Sequence, residues 1–181
     1  MNDDVKNIKL DLGSSSSQRQ GFIGIDITNG SDIKWDLTKG IPYNDDSVEE
    51  IRSDHFFEHL VIDDLLFVLS ECHRVLKKGK DLNFTIPHIN PYINAYIEND
   101  MKFLRSKITD VPKEYKKVFD TPFDIIMWLM YRNGEHKTFF DKESIVSKLK
   151  HTGFKKVRTR EYDKESDINK RFSSIYIVAT K

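Results

Sequence analysis

The chain has 181 residues and a mass of 21.3 kDa, enough for one well-buried domain and short for two. Lys plus Arg and Asp plus Glu each number 29, so with its His neutral the chain has a formal net charge of +0, which excludes a global field gathering nucleic acid or anionic lipid. The only cysteine, Cys72, excludes a disulfide framework or a cysteine-based zinc cluster within one chain, and no metal site is expected.

In chain order, Met1 to Lys9 carries Asp3, Asp4, Lys6 and Lys9 and no apolar stretch like a leader peptide. The longest clearly apolar run, Ile125 to Tyr131, is too short to span a bilayer, so a cytoplasmic protein is expected. Ile8 to Gly13 alternates apolar residues and stops at a glycine, which predicts a strand ending in a tight turn. Phe22 to Ile27 predicts a second strand, buried on both faces and closed by Asp26. Ile33 to Leu37 is a shorter candidate, and Ser47 to Asp54 reads as another strand anchored by Val48 and Ile51.

Ile62, Leu65, Leu66, Leu69, Cys72 and Leu76 recur at three- and four-residue spacings, with His73 at the margin of the stripe, and predict a helix. Asp63 and Asp64 suit its start, and Lys77, Lys78 and Gly79 suit its end. Leu82 to Ile86 alternates and meets Pro87, a strand ended by proline. Strand, helix, strand in this order predicts a parallel sheet.

From His88 to Glu135 the sequence is irregular and aromatic-rich, and reads as a substrate lid, a homodimer surface or a helical cover of the sheet. Within it, Thr121-Pro122 caps a helix through Tyr131 that ends at Asn133-Gly134. Asp141 caps a further helix through Lys150, with Gly153 beyond it. Val157 to Tyr162 and Ser173 to Thr180 form a long terminal hairpin.

In an open parallel sheet, ligands lie beyond the carboxyl ends of the strands. Asp11, Asp26, Asp36 and Asp54 all fall at such ends. A carboxylate closing the second strand can accept both hydroxyl protons of a ribose, which makes Asp26 the main candidate; a lone aspartate there would instead cap a turn.

These pieces together resemble the class I S-adenosylmethionine-dependent methyltransferases, and among them the small methyltransferase-11-like group. LDLG at Leu10 to Gly13 is similar to the first motif of that family, and GIDI at Gly24 to Ile27 to its ribose-binding strand end. WDLTKGIPYNDDSVEEI at Trp35 to Ile51 is similar to its acidic residue on the adenine side and the loop that follows. SDHFFEHL at Ser53 to Leu60 and ECHRVLKKGKDLNFTIP at Glu71 to Pro87 resemble its next segments, and HKTFFDKESIVSKLKHTGFKKV at His136 to Val157 its last helix and strand.

The resemblance implies an α/β fold with a Rossmann-like, mostly parallel sheet and a C-terminal antiparallel hairpin. It implies one domain over 1–181, with 88–135 as a helical insertion on the substrate side, and S-adenosylmethionine as cofactor. Asp11, Gly13 and Ser14 would lie near its methionine part, Asp26 on the ribose, and Ile27 against the adenine face. Asp36 would accept from the adenine amino group, Leu37 would donate a backbone amide, and His55 would line the floor.

Two departures stand out. Ser15 and Ser17 occupy positions where the family has glycines, which there permit positive φ and close backbone approach. Ser14 to Gly21 is shorter than the roughly 10–12 residues of a helical crossover, so the first crossover helix is expected to be missing.

Asn90-Pro91-Tyr92 resembles the core tripeptide of amino-directed methyltransferases, but it follows the fifth strand rather than the fourth, which argues against that role. Glu58-His59 looks like an acid and base pair, but at a helix entrance such residues more often satisfy amides. His88 and His136 are the candidates for a catalytic base, since an imidazole takes a proton near neutral pH. The expected reaction is methyl transfer to an oxygen or nitrogen of an acceptor, a small molecule suiting the charge balance better than DNA or RNA. The rival reading is a non-catalytic module that keeps the fold and the cofactor.

Overall fold

Leu10, Leu12, Ile25 and Ile51 are fully shielded from solvent, and they come from three strands lying side by side. The computed structural model describes residues 7–16, 19–109, 111–164, 167–168 and 170–181. The readings placed on Asp3, Asp4, Lys6 and Ser17 lie outside the described residues. Among those described, the strands are β1 (Ile8–Leu12), β2 (Ile23–Asp26), β3 (Ile33–Lys34), β4 (Val48–Asp54), β5 (Leu76–Pro87), β6 (Lys156–Arg160) and β7 (Ser174–Thr180). They form one sheet in the order β3-β2-β1-β4-β5-β7-β6. Strands β1 to β5 pair in parallel, and β7 runs antiparallel to both β5 and β6. This is the predicted mostly parallel sheet with an antiparallel C-terminal pair.

The described residues between β1 and β2 form turns and no helix. The third strand is shorter than expected. It stops at Lys34, because Asp36 turns the chain into a 3₁₀ turn at Leu37–Lys39 by accepting from the Thr38 amide at 3.0 Å.

Helix α1 (Ile62–Val75) buries Leu65, Val68, Leu69, Cys72 and Val75 against the sheet. Its end departs from expectation: the chain passes from Val75 directly into β5, and Leu76 already pairs with Val48. The basic residues after it serve the sheet rather than the helix end, since the Lys77 and Lys80 ammonium groups both reach Glu49 on β4, Lys80 at 2.7 Å. Pro87 closes β5 as predicted.

The middle segment forms α2 (Asn90–Ile97), α3 (Met101–Lys107), α4 (Lys113–Lys116) and α5 (Pro122–Tyr131). These helices enclose a second, smaller core of Ala95, Leu104, Ile108, Val111 and Ile125, against which Tyr92, Phe103, Phe119 and Trp128 pack. A reciprocal box starts α5, the Thr121 side chain accepting from the Asp124 amide while Asp124 accepts from the Thr121 amide. Helix α6 (Lys142–His151) is capped by Asp141 in the same way. Among the described residues no helix is long and apolar enough to cross a membrane.

Candidate active site

The direction of strand addition reverses between β1 and β4, with β2 and β3 continuing on one side and β5 on the other. Diverging loops leave a crevice at the carboxyl ends of such a strand pair. Two cavities open there. An inner cleft of about 520 Å³ is lined by Asp11, Ser14, Asp54 and Glu58 from the sheet side and by Tyr92, Leu129, Arg132 and His136 from the helical segment. An outer groove of about 530 Å³ is lined by Asp26, Ile27, Trp35, Asp36, Leu37 and Phe56. The two share Gly13, Ser15, His55 and His59 in their linings.

Gly13 takes φ +68°, its amide donates to the Ile25 carbonyl at 2.9 Å, and a Cβ there would lie 2.5 Å from the Phe56 Cβ. Ser15, at one of the positions where glycine was expected, is also left-handed, with φ +51°. Its amide donates to Asp26 Oδ2 at 3.0 Å, and the Thr28 amide donates to Oδ1 of the same carboxylate at 2.8 Å. Asp26 thus lines the groove and also caps the turn, the two readings the sequence offered. A carboxylate has about four lone-pair sites, so acceptor capacity is left on both oxygens.

Asp11 is 2% exposed, with Oδ2 3.4 Å from Arg19 Nε. Burial pushes its carboxyl above the ordinary range, partly offset by that guanidinium. The buried Ser14 Oγ has no hydrogen-bond partner among the described residues. Asp36 accepts from both the amide and the hydroxyl of Thr38, the hydroxyl at 2.7 Å, and these bonds hold its carboxyl below the ordinary range. Ile27 is 66% exposed at the edge of the groove.

His55 follows β4 with φ +53°, and its amide is held by the Thr85 carbonyl at 3.0 Å. Its ring is fixed at both ends, Nδ1 lying 3.0 Å from Glu58 Oε1 and Nε2 3.1 Å from Ser174 Oγ. All eight residues expected around a cofactor therefore line one cavity or both.

The two candidate bases share one pocket, and only one of them also reaches the cleft. His136 is 8% exposed and lines the inner cleft. His88 lies outside that lining and faces a side pocket of about 20 Å³ that His136 also lines, with Ile89, Met130, Phe139 and Phe140. Burial lowers the pKa of both imidazoles, so both are neutral at pH 7. Asn90-Pro91-Tyr92 opens α2, and its Tyr92 reaches the inner cleft.

Glu58-His59 does not cap α1, whose first turn has no side-chain cap. The Glu58 side chain instead turns inward to 1% exposure, because the Glu58 carbonyl, accepting from the Lys137 and Thr138 amides, ties that stretch to the segment carrying His136. Sequence reasoning did not assign Trp35, Phe56, Tyr92 or Arg132 to the site. Trp35 adjoins the aspartate of the third strand and had a local signal; Tyr92 and Arg132 arrive only through the packing of α2 and α5.

No protein-family model matches the chain, and no curated protein matches it. Solved structures do. A SAM-dependent methyltransferase from Thermotoga maritima superposes with a TM-score of 0.58 at 16% identity, over 96% of this chain and 82% of the other. One from Archaeoglobus fulgidus gives 0.58 at 16% identity, over 98% and 88%. One from Methanosarcina mazei gives 0.58 at 17% identity, over 95% and 91%. The chain therefore has the Rossmann-like fold of the SAM-dependent methyltransferases to which it is similar.

Proposed function

We propose that the protein is a class I S-adenosylmethionine-dependent methyltransferase acting on an oxygen or nitrogen of a small molecule. The observation that carries this reading is the joining of two cavities at Gly13, Ser15, His55 and His59, at the point where strand order reverses. The outer groove takes the nucleoside. Asp26 accepts from the ribose hydroxyls, Ile27 and Trp35 cover the base, and Asp36 and the Leu37 amide meet its polar edge. Gly13, Ser14 and Asp11 would hold the methionine part.

S-adenosylmethionine, when bound, would supply an electrophilic methyl group, and the inner cleft under the 88–135 segment would hold the acceptor whose oxygen or nitrogen takes that methyl group and gives up a proton. Alignment of the nucleophile supplies most of the rate. His136 is the neutral imidazole available in the cleft for that proton or for a cation. His88, facing the side pocket, is assigned no role in the reaction.

One observation favours the non-catalytic rival: Ser15, standing where the resembling family has a glycine, holds a left-handed φ of +51°. Titration calorimetry with S-adenosylmethionine, its demethylated product and NAD tests the binding step, and Asp26→Ala is expected to weaken the first two by about tenfold or more. Unchanged affinity in that variant overturns the assignment. Transfer of a tritiated methyl group to a pooled metabolite extract tests the chemistry, and binding without labelled product supports the rival.

A further inference from the structure

A carboxylate oxygen of Glu58 and one ring nitrogen from each of His59 and His136 lie within 4.8 Å of one another, on the wall of the inner cleft. Glu58 Oε1 is occupied by His55, but Oε2, on a side chain 1% exposed, has no hydrogen-bond partner among the described residues. Leaving a buried carboxylate oxygen unpartnered is costly unless something at the site compensates it. His59 Nδ1 lies 3.0 Å from the Glu135 carbonyl, which can only accept, so Nδ1 carries the proton and Nε2 the lone pair. His136 is 8% exposed, and its ring lies edge-on to that of His59, with ring centroids 5.1 Å apart. An imidazole with one nitrogen tied to a carbonyl and the other open is the arrangement that orients a metal ligand.

We propose that Glu58, His59 and His136 form a binding site for a divalent first-row transition ion. Two imidazoles and one carboxylate suit Zn²⁺, Mn²⁺ or Fe²⁺ better than Mg²⁺, which prefers oxygen ligands and keeps its water. Bond lengths of about 2.0–2.2 Å require the three atoms to draw slightly together. The exposed His59 side chain can shift to supply that movement while its Nδ1 stays with the Glu135 carbonyl. Two cationic side chains of the cleft are engaged elsewhere: Arg171 Nη2 lies 3.5 Å from Asp54, and Lys107 Nζ sits 3.6 Å over the Phe172 ring. Three protein ligands leave open coordination positions toward the cleft, where an oxygen or nitrogen acceptor could join. The site stands on its own geometry and does not depend on the methyltransferase reading.

Calorimetry on the metal-stripped full chain, without S-adenosylmethionine, tests it with Zn²⁺, Mn²⁺ and Mg²⁺ in turn. Zn²⁺ and Mn²⁺ are expected to bind at one ion per chain and Mg²⁺ far more weakly. His59→Ala, an exposed position where folding is unaffected, should weaken Zn²⁺ at least about tenfold, as should His136→Asn, while His151→Ala leaves it unchanged. With Co²⁺ as probe, visible absorption bands should appear in the parent protein and vanish in His59→Ala. Absence of one-to-one Zn²⁺ and Mn²⁺ binding, or Zn²⁺ affinity and Co²⁺ bands unaltered in His59→Ala, overturns the proposal. Either result leaves the methyl-transfer assay to be judged separately.

Discussion

Gly13 and Phe56 are in such close approach that a Cβ on the glycine would meet the Phe56 Cβ at 2.5 Å. Glycine is required there twice over, by φ +68° and by this contact, and the contact keeps the Phe56 ring against the turn where groove and cleft meet. Gly13→Ala is therefore expected to destabilise the fold by about 2 kcal/mol, a fall in Tm of about 4–8 °C. It should also remove S-adenosylmethionine binding, and differential scanning and titration calorimetry read the two effects separately.

Ser14 is expected to behave in the opposite sense. Its buried hydroxyl lacks a partner among the described residues, so Ser14→Ala removes a desolvated polar group and should leave stability unchanged or raise it by up to about 1 kcal/mol. If the hydroxyl meets the cofactor, the same substitution weakens S-adenosylmethionine by about tenfold. A loss of stability without loss of affinity would remove Ser14 from the binding surface.

His88 predicts an acid-side loss of stability. Burial, and next the Lys142 charge, lower its folded pKa from the ordinary 6.5, while Asp141 opposes them. The folded protein therefore holds the proton less readily than the unfolded chain. Its contribution is fully present above about pH 6.5 and is lost as pH falls through that value toward the lower folded pKa. Urea midpoints measured between about pH 7.5 and about pH 5 should fall less in His88→Gln than in the parent. Equal falls would assign the acid loss to other groups.

Thr121 links one cap to the roof of the cleft. Thr121→Ala removes the half of the box in which the threonine hydroxyl accepts from the Asp124 amide, and leaves the residue-121 amide donating to Asp124, at a cost of about 1 kcal/mol. Because α5 carries Leu129 into the cleft, amide exchange should quicken in α5 and its neighbours α2 and α3 while β1 and β4 stay protected. Uniform quickening would mean that the two cores unfold together.

Much of this architecture is legible in the residues because it rests on local rules. Alternation marked β1 and β5, a continuous apolar run marked β2, a three-and-four spacing marked α1, and Thr121-Pro122 and Asp141 marked the starts of α5 and α6 to the residue. The eight residues from Ser14 to Gly21 predicted the absence of a first crossover helix, since so short a link cannot hold one. The miss at Lys77 to Gly79 has an equally physical cause. Basic residues after a helix suit its dipole, but here a carboxylate on the adjacent strand, Glu49, attracts Lys77 and Lys80 more strongly than the helix end does.

Carboxylates at the strand ends are placed by the chain itself, because a strand's direction and length decide where its last side chain emerges. What those carboxylates and imidazoles then face is decided by folding alone. Nothing local in the sequence says that His136 returns to within 4.8 Å of Glu58, or that His88 stays out of the inner cleft that His136 lines. Those outcomes depend on contacts between residues far apart in the chain, such as the Lys137 amide on the Glu58 carbonyl at 2.7 Å, and only the packed structure brings such groups together.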